Sequence, residues 1–377
     1  NQLTTEARKM AEEFYTTSGK NTTYQLIRKE FPKLPSHITA SLNDMVTKNY
    51  SNEIFDVMLG KRSLRTYRKG MPIPFMKSSM RFQRTEDEIL LKWVNNIDFI
   101  LHFGRDKSNN QIIVERILDG DYKYSDSQIQ IKKNKIFLLL VVDVPEEENK
   151  LNDDVYVGVD LGLSIPAVCS LNVGMERLSI GSYDDFIRVR TQLFQRRKRL
   201  QRSLTLTKGG KGRSKKLKAL NRLKDKERNW VKTYNHTLTN RIVKFAKDNL
   251  ASVIKMEFLE GYGEDETNSF VLRYWSYFEM QTMIEYKAKR EGIKVVYIDP
   301  YHTSQICSFC NHYEEGQRLN QSEFLCKNPN CSNKDNKGNN KIENADWNAS
   351  KNIALSEKIV TKKSECEYYK QKRAEKN

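Results

Sequence analysis

VYVGVDLG, residues 155–162, is the stretch of sequence that decides the fold of this chain. Its apolar and β-branched residues predict a buried strand that Asp160 ends. Gly162 follows directly and permits a tight turn or the close approach of a substrate. Two further short runs, Ala167–Ser170 and Arg177–Ile180, also predict strands. The stretch therefore opens a three-stranded meander.

Downstream of this meander, helical and strand patterns alternate. The predicted elements are helices from about Asp184 to residue 250, the strand Ser252–Phe258, the helix Phe270–Arg290, the strand Lys294–Ile298 and a helix from about Ala345. Three strands, helix, strand, helix, strand and helix is the element order of an RNase H-like domain. We therefore expect that domain in the second part of the chain.

Residues 1–66 have a helical pattern instead. Apolar residues recur at helical spacing around 7–14 and again around 38–46. Pro32 and Pro35 separate the two stretches, because proline interrupts a helix. This part of the chain is predicted to be a helical region.

From Tyr67 the texture changes to short β-branched runs separated by Gly, Asp and Asn. Gln111–Ile117 and Ile136–Val142 are two of these runs, and both predict strands. They indicate a small β domain, which we interpret as a barrel, and the polar stretch Pro145–Asp154 predicts a linker after it. The expected fold class is therefore α+β with several domains.

Three carboxylates fall where RNase H-like nucleases carry their metal ligands. Asp160 ends the first strand, Glu257 ends the fourth, and Asp346 opens the last predicted helix. Taken singly, an Asp at a strand end is commonly a turn former, and an Asp in a first helical turn is commonly a cap. Two-metal phosphodiester cleavage needs carboxylates that converge, since Mg²⁺ prefers their oxygen atoms. The trio predicts a centre for two Mg²⁺ ions. Asp299, before Pro300, could also approach the site, but its position is interpreted as that of a turn residue.

Four of the six cysteines are clustered in two short knuckles, Cys307-x₂-Cys310 and Cys326-x₄-Cys331. Paired thiolates at such spacing form closed tetrahedral Zn²⁺ sites of the structural type. A ribbon of about 30 residues is too small to fold by apolar burial alone, so zinc would supply much of its folding energy. Of the remaining two, Cys169 is predicted to be a buried apolar residue within a strand.

The net charge of +17 points to a polyanionic partner. Residues 188–232 hold 18 Lys or Arg against two acids, so this segment carries nearly the whole excess. A charge run is often only a solvated helical face, but Leu217, Leu220 and Leu223 recur here at helical spacing and predict an ordered helix with a basic face. The candidate phosphate contacts are Arg188, Arg190, Arg196, Arg197, Lys198, Arg199 and Arg202. Arg318, near the cysteines, is a further candidate contact to a nucleic-acid strand.

Membrane insertion is not expected, because no stretch approaches the roughly 20 consecutive apolar residues that span a bilayer. No charged and then apolar leader opens the given sequence, so we expect a cytoplasmic protein.

Several motifs resemble one known family. GVDLG at 158–162, KMEFL at 255–259, TSQICSFC at 303–310 and NADWNA at 344–349 resemble the RuvC segments and zinc ribbon of TnpB-like nucleases. Within that group the chain is most similar to the miniature type V-F CRISPR effectors. RTYRKGMPIP at 65–74 and EGIKVVYIDP at 291–300 resemble theirs as well.

The resemblance implies a prokaryotic RNA-guided nuclease. Such proteins bind a guide RNA, recognise a short T-rich motif beside the target DNA, cut DNA with one RuvC site and act as asymmetric homodimers on one guide. Asp160, Glu257 and Asp346 would hold two Mg²⁺ ions, and the four clustered cysteines would hold one Zn²⁺. The implied division is a helical recognition region at 1–66, a wedge barrel at 67–150, RuvC segments at 151–304 and 341–377 with the basic helices at 184–250, and a zinc-ribbon insertion for target nucleic acid at 305–340.

Two alternatives remain open at this point. A transposon-encoded TnpB nuclease would use the same chemistry with a different RNA. A zinc-ribbon regulator that binds nucleic acid without cutting it belongs to a different class of protein, and the intact acids argue against it.

Overall fold

The computed structural model describes residues 20–374, with gaps at 68–69, 94–95, 107–108, 133, 146–149, 163–164, 260–276 and 363–364. The chain divides into two compact units at Pro145. The helix predicted around residues 7–14 lies outside the described residues.

The first unit begins with two helices, α1 (Lys20–Glu30) and α2 (Ser36–Met58). The prolines separate them as predicted, because Pro35 stands in the N-cap position of α2 and the first helical hydrogen bond runs from the Thr39 amide to the Pro35 carbonyl at 3.0 Å. The helical prediction for this region is confirmed over the residues that are described.

Among the described residues, the rest of the first unit comprises six strands, one α-helix and a short 3₁₀ helix at Lys77–Ser79. In chain order the strands and the α-helix are β1 (Ile73–Phe75), β2 (Met80–Arg84), β3 (Ile89–Trp93), β4 (Ile97–Ile100), α3 (Asn110–Leu118), β5 (Lys123–Lys132) and β6 (Lys135–Asp143). They form two antiparallel sheets, β1-β5-β6 and β2-β3-β4, around a core that includes Phe75 and Leu91. Among the described residues the strands do not close into one sheet, so the predicted barrel is corrected to two three-stranded sheets.

Residues 111–117 were predicted as a strand and are a helix instead. Val114 and Ile117, three residues apart, are both buried against the strands. Asp106 accepts a hydrogen bond from the Gln111 amide at 2.7 Å, which satisfies one of the free N–H groups of the first turn. Packing and end hydrogen bonds override the weak preference of β-branched residues for strands.

The second unit is built on a five-stranded sheet. Its strands are β7 (Asn152–Asp160), β8 (Ala167–Leu171), β9 (Arg177–Ile180), β10 (Ala251–Glu257) and β11 (Lys294–Ile298), in the spatial order β11-β10-β7-β8-β9. The first three form the predicted antiparallel meander, and β10 and β11 run parallel to β7. β7 starts three residues before the predicted strand, because Asn152 still pairs with Ala251.

Helices connect and cover this sheet. They are α4 (Tyr183–Thr205), α5 (Gly210–Asp248), α6 (Tyr277–Arg290), α7 (Ala345–Leu355) and α8 (Glu367–Ala374). Val157, Ile254 and Ile242 have no exposed surface and form the centre of the core. The element order matches the sequence prediction up to α7, and α8 is an additional helix beyond the one predicted as the last.

Residues 305–344, called here the four-cysteine ribbon, lie between β11 and α7. The short strands β12 (Glu323–Leu325) and β13 (Ile342–Asn344) pair within it. Turns and side-chain hydrogen bonds hold the rest of the ribbon together. For example, the side-chain amide of Asn340 donates from Nδ2 to the backbone carbonyls of Cys326 and Asn328. Within the described part of the chain, no helix combines the length and apolar character needed to cross a bilayer.

Candidate active site and metal centre

Asp160 and Glu257 lie at the same edge of the sheet. Their strands are parallel neighbours, and the register pairs Met256 with Val159, one residue before each acid. Because parallel strands present their carboxyl ends at one edge, the two side chains meet there. The sequence-predicted positions of these two acids are therefore adjacent in the fold.

Asp346 is brought to this edge by helix α7, which packs very closely on β7. A Cβ atom added to Gly158 would lie 2.1 Å from the Ser350 carbonyl oxygen and 2.3 Å from the Ala354 amide nitrogen. Only glycine permits this contact, and it explains the residue that stands two positions before Asp160. Asn344 caps the helix by accepting the Trp347 amide at 2.9 Å, so Asp346 lies in the first turn.

Polar side chains of α7 bind the elements on both sides of the helix. Towards the sheet, Ser350 contacts the Ser170 hydroxyl at 2.5 Å and Lys351 donates to three carbonyls of the β8–β9 turn. Towards the ribbon, Asn348 and Asn352 each donate to the Ile306 carbonyl at 2.7 Å. The helix that carries Asp346 is thereby fixed to both neighbours.

Glu257 is oriented by a hydroxyl group. Thr303 donates from Oγ1 to Glu257 Oε1 at 2.5 Å and is itself 7% exposed. The side-chain amide of Gln281, on α6, donates from Nε2 to the Glu257 backbone carbonyl at 2.8 Å. Both bonds place the carboxylate at the site without neutralising it.

The electrostatics show that the three acids share one environment. Burial raises the pKa of Asp160 well above its ordinary value, and the charges of Glu257 and Asp346 raise it further. Burial also raises the pKa of Glu257 to about 6, against the Thr303 hydrogen bond, and raises the pKa of Asp346. Converging carboxylates that repel one another are the donor set that a hard cation such as Mg²⁺ prefers.

Arg318 of the four-cysteine ribbon supplies positive charge to the same place. Its Nη2 lies 3.6 Å from Asp346 Oδ1, and its charge lowers the pKa of all three acids. The guanidinium also donates to the carbonyls of Asn320 and Gln321, which hold its position. Arg318 was predicted to contact a nucleic-acid strand, and the structure places it beside Asp346.

The four cysteines of the ribbon converge as their spacing predicts. The Sγ atoms all lie within 4.8 Å of one another, with 3.7 Å between Cys307 and Cys331 and 3.6 Å between Cys310 and Cys326. A tetrahedral site with metal–sulfur bonds of about 2.3 Å requires sulfurs about 3.8 Å apart. The four thiols can therefore hold a metal ion. Cys169, as predicted, is fully buried within β8.

The basic segment forms helices α4 and α5, and its cations differ in access. Arg188, Arg196, Lys198, Arg199 and Arg202 are exposed. Arg190 is buried and lies 3.1 Å from Glu227, which also contacts Arg197 at 3.3 Å. Arg190 and Glu227 thus connect the two helices, and in this arrangement Arg190 does not offer its charge to a phosphate.

Sequence reasoning missed the residues that position the acids. Thr303, Asn348 and Asn352 are ordinary polar residues whose partners lie about 40 to 50 positions away. One signal was available for α7: only Asp346 and Lys351 of its eleven residues are charged, so the helix lacks the charged face that a solvated surface helix carries.

The fold and site together define a mixed α/β protein with three acids at one edge of a five-stranded sheet and an inserted ribbon whose four cysteines can hold a metal ion. Comparisons with known proteins agree with this class. The family model described as "Cas12f1-like, TNB domain" matches residues 277–353, and the model described as "Probable transposase" matches residues 139–258. The chain is homologous to the type V-F Cas12f1 endodeoxyribonucleases and to TnpB-like proteins.

Individual relatives show how far the similarity extends. The Cas12f1 endodeoxyribonuclease of Sulfoacidibacillus thermotolerans is 27% identical over 353 residues, which cover 88% of this chain and 79% of the relative. That of Syntrophomonas palmitatica is 35% identical over 233 residues, 58% of this chain, and the match spans less than half (46%) of that relative. A solved Cas12f1–sgRNA–target DNA complex has the same fold, with a TM-score of 0.69 at 21% identity over 96% of this chain and 84% of the other.

Proposed function

We propose that this protein is a CRISPR RNA-guided DNA endonuclease that cleaves its target at Asp160, Glu257 and Asp346. The observation that carries the proposal is the convergence of these acids beside Arg318, in a chain homologous to Cas12f1 endodeoxyribonucleases. The guide RNA would read the target by base pairing, while the protein would hold the heteroduplex and recognise a short T-rich flanking motif.

The three acids would hold two Mg²⁺ ions, which when bound activate a water molecule and stabilise the leaving oxygen. The residues of the chain then have separate tasks. Thr303 holds one oxygen of Glu257, and the other oxygen would be left to bind a metal ion. Arg318 offsets part of the repulsion among the acids and, because its guanidinium is a strong phosphate binder, is suited to hold the scissile phosphate.

The four thiolates would hold one structural Zn²⁺, because no position of the tetrahedron is left for substrate. In this proposal zinc has no chemical role. It fixes the ribbon, and through the ribbon it fixes Arg318 at the acid site.

The exposed cations of α4 would hold the phosphate backbone of the guide–target duplex. Neutralising Lys198 or Arg199 with Gln should weaken target binding and reduce the slope of log affinity against log salt by about one per lost contact. Gln at exposed Arg81, which lies on β2 in the first unit, is a charge-matched control. An unchanged salt dependence in the α4 variants would show that these residues do not contact the phosphate backbone.

Cleavage by the reconstituted complex is the direct test of the proposed function. The RNA that co-purifies with the chain is sequenced, and the complex is then incubated with Mg²⁺ and a matching duplex. We expect a repeat-derived guide and guide-dependent cleavage. No cleavage across a library of flanking motifs would reject the nuclease assignment.

A transposon-encoded nuclease is the second candidate, since residues 139–258 match a transposase family. RNA derived from a transposon end in the purified complex would favour it over the CRISPR assignment. We also propose that the complex contains two copies of the chain on one guide and acts in the prokaryotic cytoplasm. The mass of the reconstituted complex tests the copy number.

A further inference from the structure

The chain returns to the acid site after α7. Residues 356–362 and 365–374, called here the C-terminal strap, extend the open edge of the sheet at β11. Ile359 bridges to Ile298 in antiparallel fashion, and the Val360 amide donates to the Tyr297 carbonyl at 2.9 Å. The Asp299 amide donates to the Lys358 carbonyl at 3.1 Å. Residues 358–360 of the strap are therefore paired with the edge strand of the sheet.

Two charged side chains fasten the ends of the strap. Lys255 of β10 donates from Nζ to the Ser356 carbonyl at 2.8 Å. Asp299, only 5% exposed, accepts the Glu367 amide on Oδ2 at 2.7 Å and the Tyr301 amide on Oδ1 at 3.2 Å. The carboxylate thus serves the first turn of α8 and the turn after β11 together, because both have amide groups without helical or strand partners.

The residues that bind the strap, Lys255 and Asp299, lie next to the residues that surround Glu257. Lys255 stands two residues before Glu257 on the same strand, and Ile298 pairs with Glu257 in register. Residues 299–303 form the turn whose last member, Thr303, has one hydroxyl proton with two acceptors in reach: Glu257 Oε1 at 2.5 Å and, at the longer distance of 3.2 Å, the Pro300 carbonyl. Gln371 of α8 donates to the Tyr301 hydroxyl at 2.8 Å, so the strap also holds the middle of this turn.

We infer that Asp299 is a positioning residue for cleavage, which joins the C-terminal strap to the 299–303 turn and thereby holds Thr303 against Glu257. The inference deepens the proposed function and rests on it. A buried carboxylate beside another acid is unfavourable unless hydrogen bonds compensate, and the amide donors of the turn and of α8 supply those bonds. Asp299 touches no reacting atom in this arrangement; it acts through Thr303.

The test compares three variants of the full chain in the reconstituted complex: Asp299→Ala, Asp299→Asn and Gln371→Ala. Single-turnover cleavage, its Mg²⁺ dependence and target affinity are measured for each. We expect Asp299→Ala to lower the cleavage rate roughly 10- to 100-fold, since small misplacements at a reacting centre have effects of this size. Target affinity should not change, and the Mg²⁺ concentration for half-maximal rate should rise.

Asp299→Asn keeps the size of the side chain and one acceptor oxygen, but its NH₂ group would face one of the two backbone N–H donors, so only one of the two connections can survive. It should therefore also lower the cleavage rate, by no more than Asp299→Ala does. Gln371 is exposed, so its replacement by Ala leaves the core intact and should lower the rate a few-fold even if Asp299→Ala fails to fold. Asp248→Asn, an exposed acid at the end of α5, is the control and should cleave as the unaltered protein does.

The outcomes are distinguishable. If the unaltered complex does not cleave, the proposed function fails. If it cleaves and Asp299→Ala cleaves equally fast, the positioning role fails alone. Loss of target binding in parallel with cleavage, or a normal rate in Asp299→Asn, would also overturn the inference. If Asp299→Ala does not fold, a normal rate for Gln371→Ala decides against it.

Discussion

On the sheet side of the acid site, Asp160 and Glu257 end strands whose core residues Val157, Ile254 and Met256 have no exposed surface. On the other side, the four-cysteine ribbon buries little besides Phe324 and its own cysteines. Burial of apolar side chains thus stabilises the sheet side. The ribbon has little such burial, so its stability depends on a ligand of its thiols. Both sides contribute to the site, since the ribbon carries Arg318.

This difference divides the site into a part that the protein packs by itself and a part that, in the proposed function, a metal ion holds together. The sheet should keep Asp160 and Glu257 in place without zinc, and Arg318 should lose its place when the ribbon does. Helix α7 joins the two parts, because its asparagines bind the ribbon while Gly158 and Ser350 mediate its contact with the sheet.

The acids themselves should show the largest effect. Asp160→Ala should reduce cleavage to the rate seen in EDTA, because a metal ligand is lost, while target binding by the guide complex stays near normal. Asp153→Ala, an exposed acid at the start of β7, is the control. Cleavage by Asp160→Ala at the normal rate would refute the assignment of the centre.

Removal of zinc should separate the two sides. In the Cys310→Ser variant, we expect loss of bound zinc and fast amide hydrogen exchange throughout residues 305–344, because metal binding supplies most of the folding free energy of the ribbon. The amides of β7 and β10 should remain protected, as their core needs no metal. Cys169→Ser is a useful comparison, since that thiol is buried in the sheet and should not alter zinc content. If hydrogen exchange in the Cys310→Ser variant is equally slow in the ribbon and in the sheet, the ribbon does not depend on metal for its stability.

The contact of α7 with the sheet should be the next most sensitive. Gly158→Ala places a methyl group against backbone atoms that cannot rotate away, so we expect the free energy of unfolding to fall by about 3 kcal/mol or more. Cleavage should fall as well, because α7 moves with Asp346. Gly212→Ala is the matched control: its new Cβ would meet only Thr207 Cγ2 at 3.9 Å, and in helix α5 alanine is favoured by about 1 kcal/mol. Thermal unfolding of both variants measures the difference.

The bond between α7 and the ribbon should have the smallest effect of the four. Asn352→Ala leaves the carbonyls of Thr303 and Ile306 without one donor, which should lower the free energy of unfolding by about 1–2 kcal/mol. If the ribbon is only loosely joined to the sheet, the loss will appear as faster exchange in the ribbon and not in β7. A stability equal to that of the unaltered protein would show that these bonds contribute nothing net.

Much of the candidate site could be predicted from the sequence because its signals are local. Asp160 and Glu257 each end an apolar strand, and both cysteine pairs fit within a few residues. The order of helices and strands along the second unit then followed from alternating patterns. By contrast, the short β-branched runs of the first unit were ambiguous, and residues 111–117 took the helical form because Val114 and Ile117 pack on one side of it.

The sequence by itself singled out the acids and thiols that are proposed to carry the chemistry, since strand ends and ligand spacing are properties of neighbouring residues. The tertiary structure alone decided which side chains hold them. Whether an arginine is buried against Glu227, as Arg190 is, or lies beside Asp346, as Arg318 does, depends on contacts between segments far apart in the chain. The same holds for Gly158, whose close contact is made nearly 200 residues later. Such contacts have no local pattern, because packing of separate elements creates them.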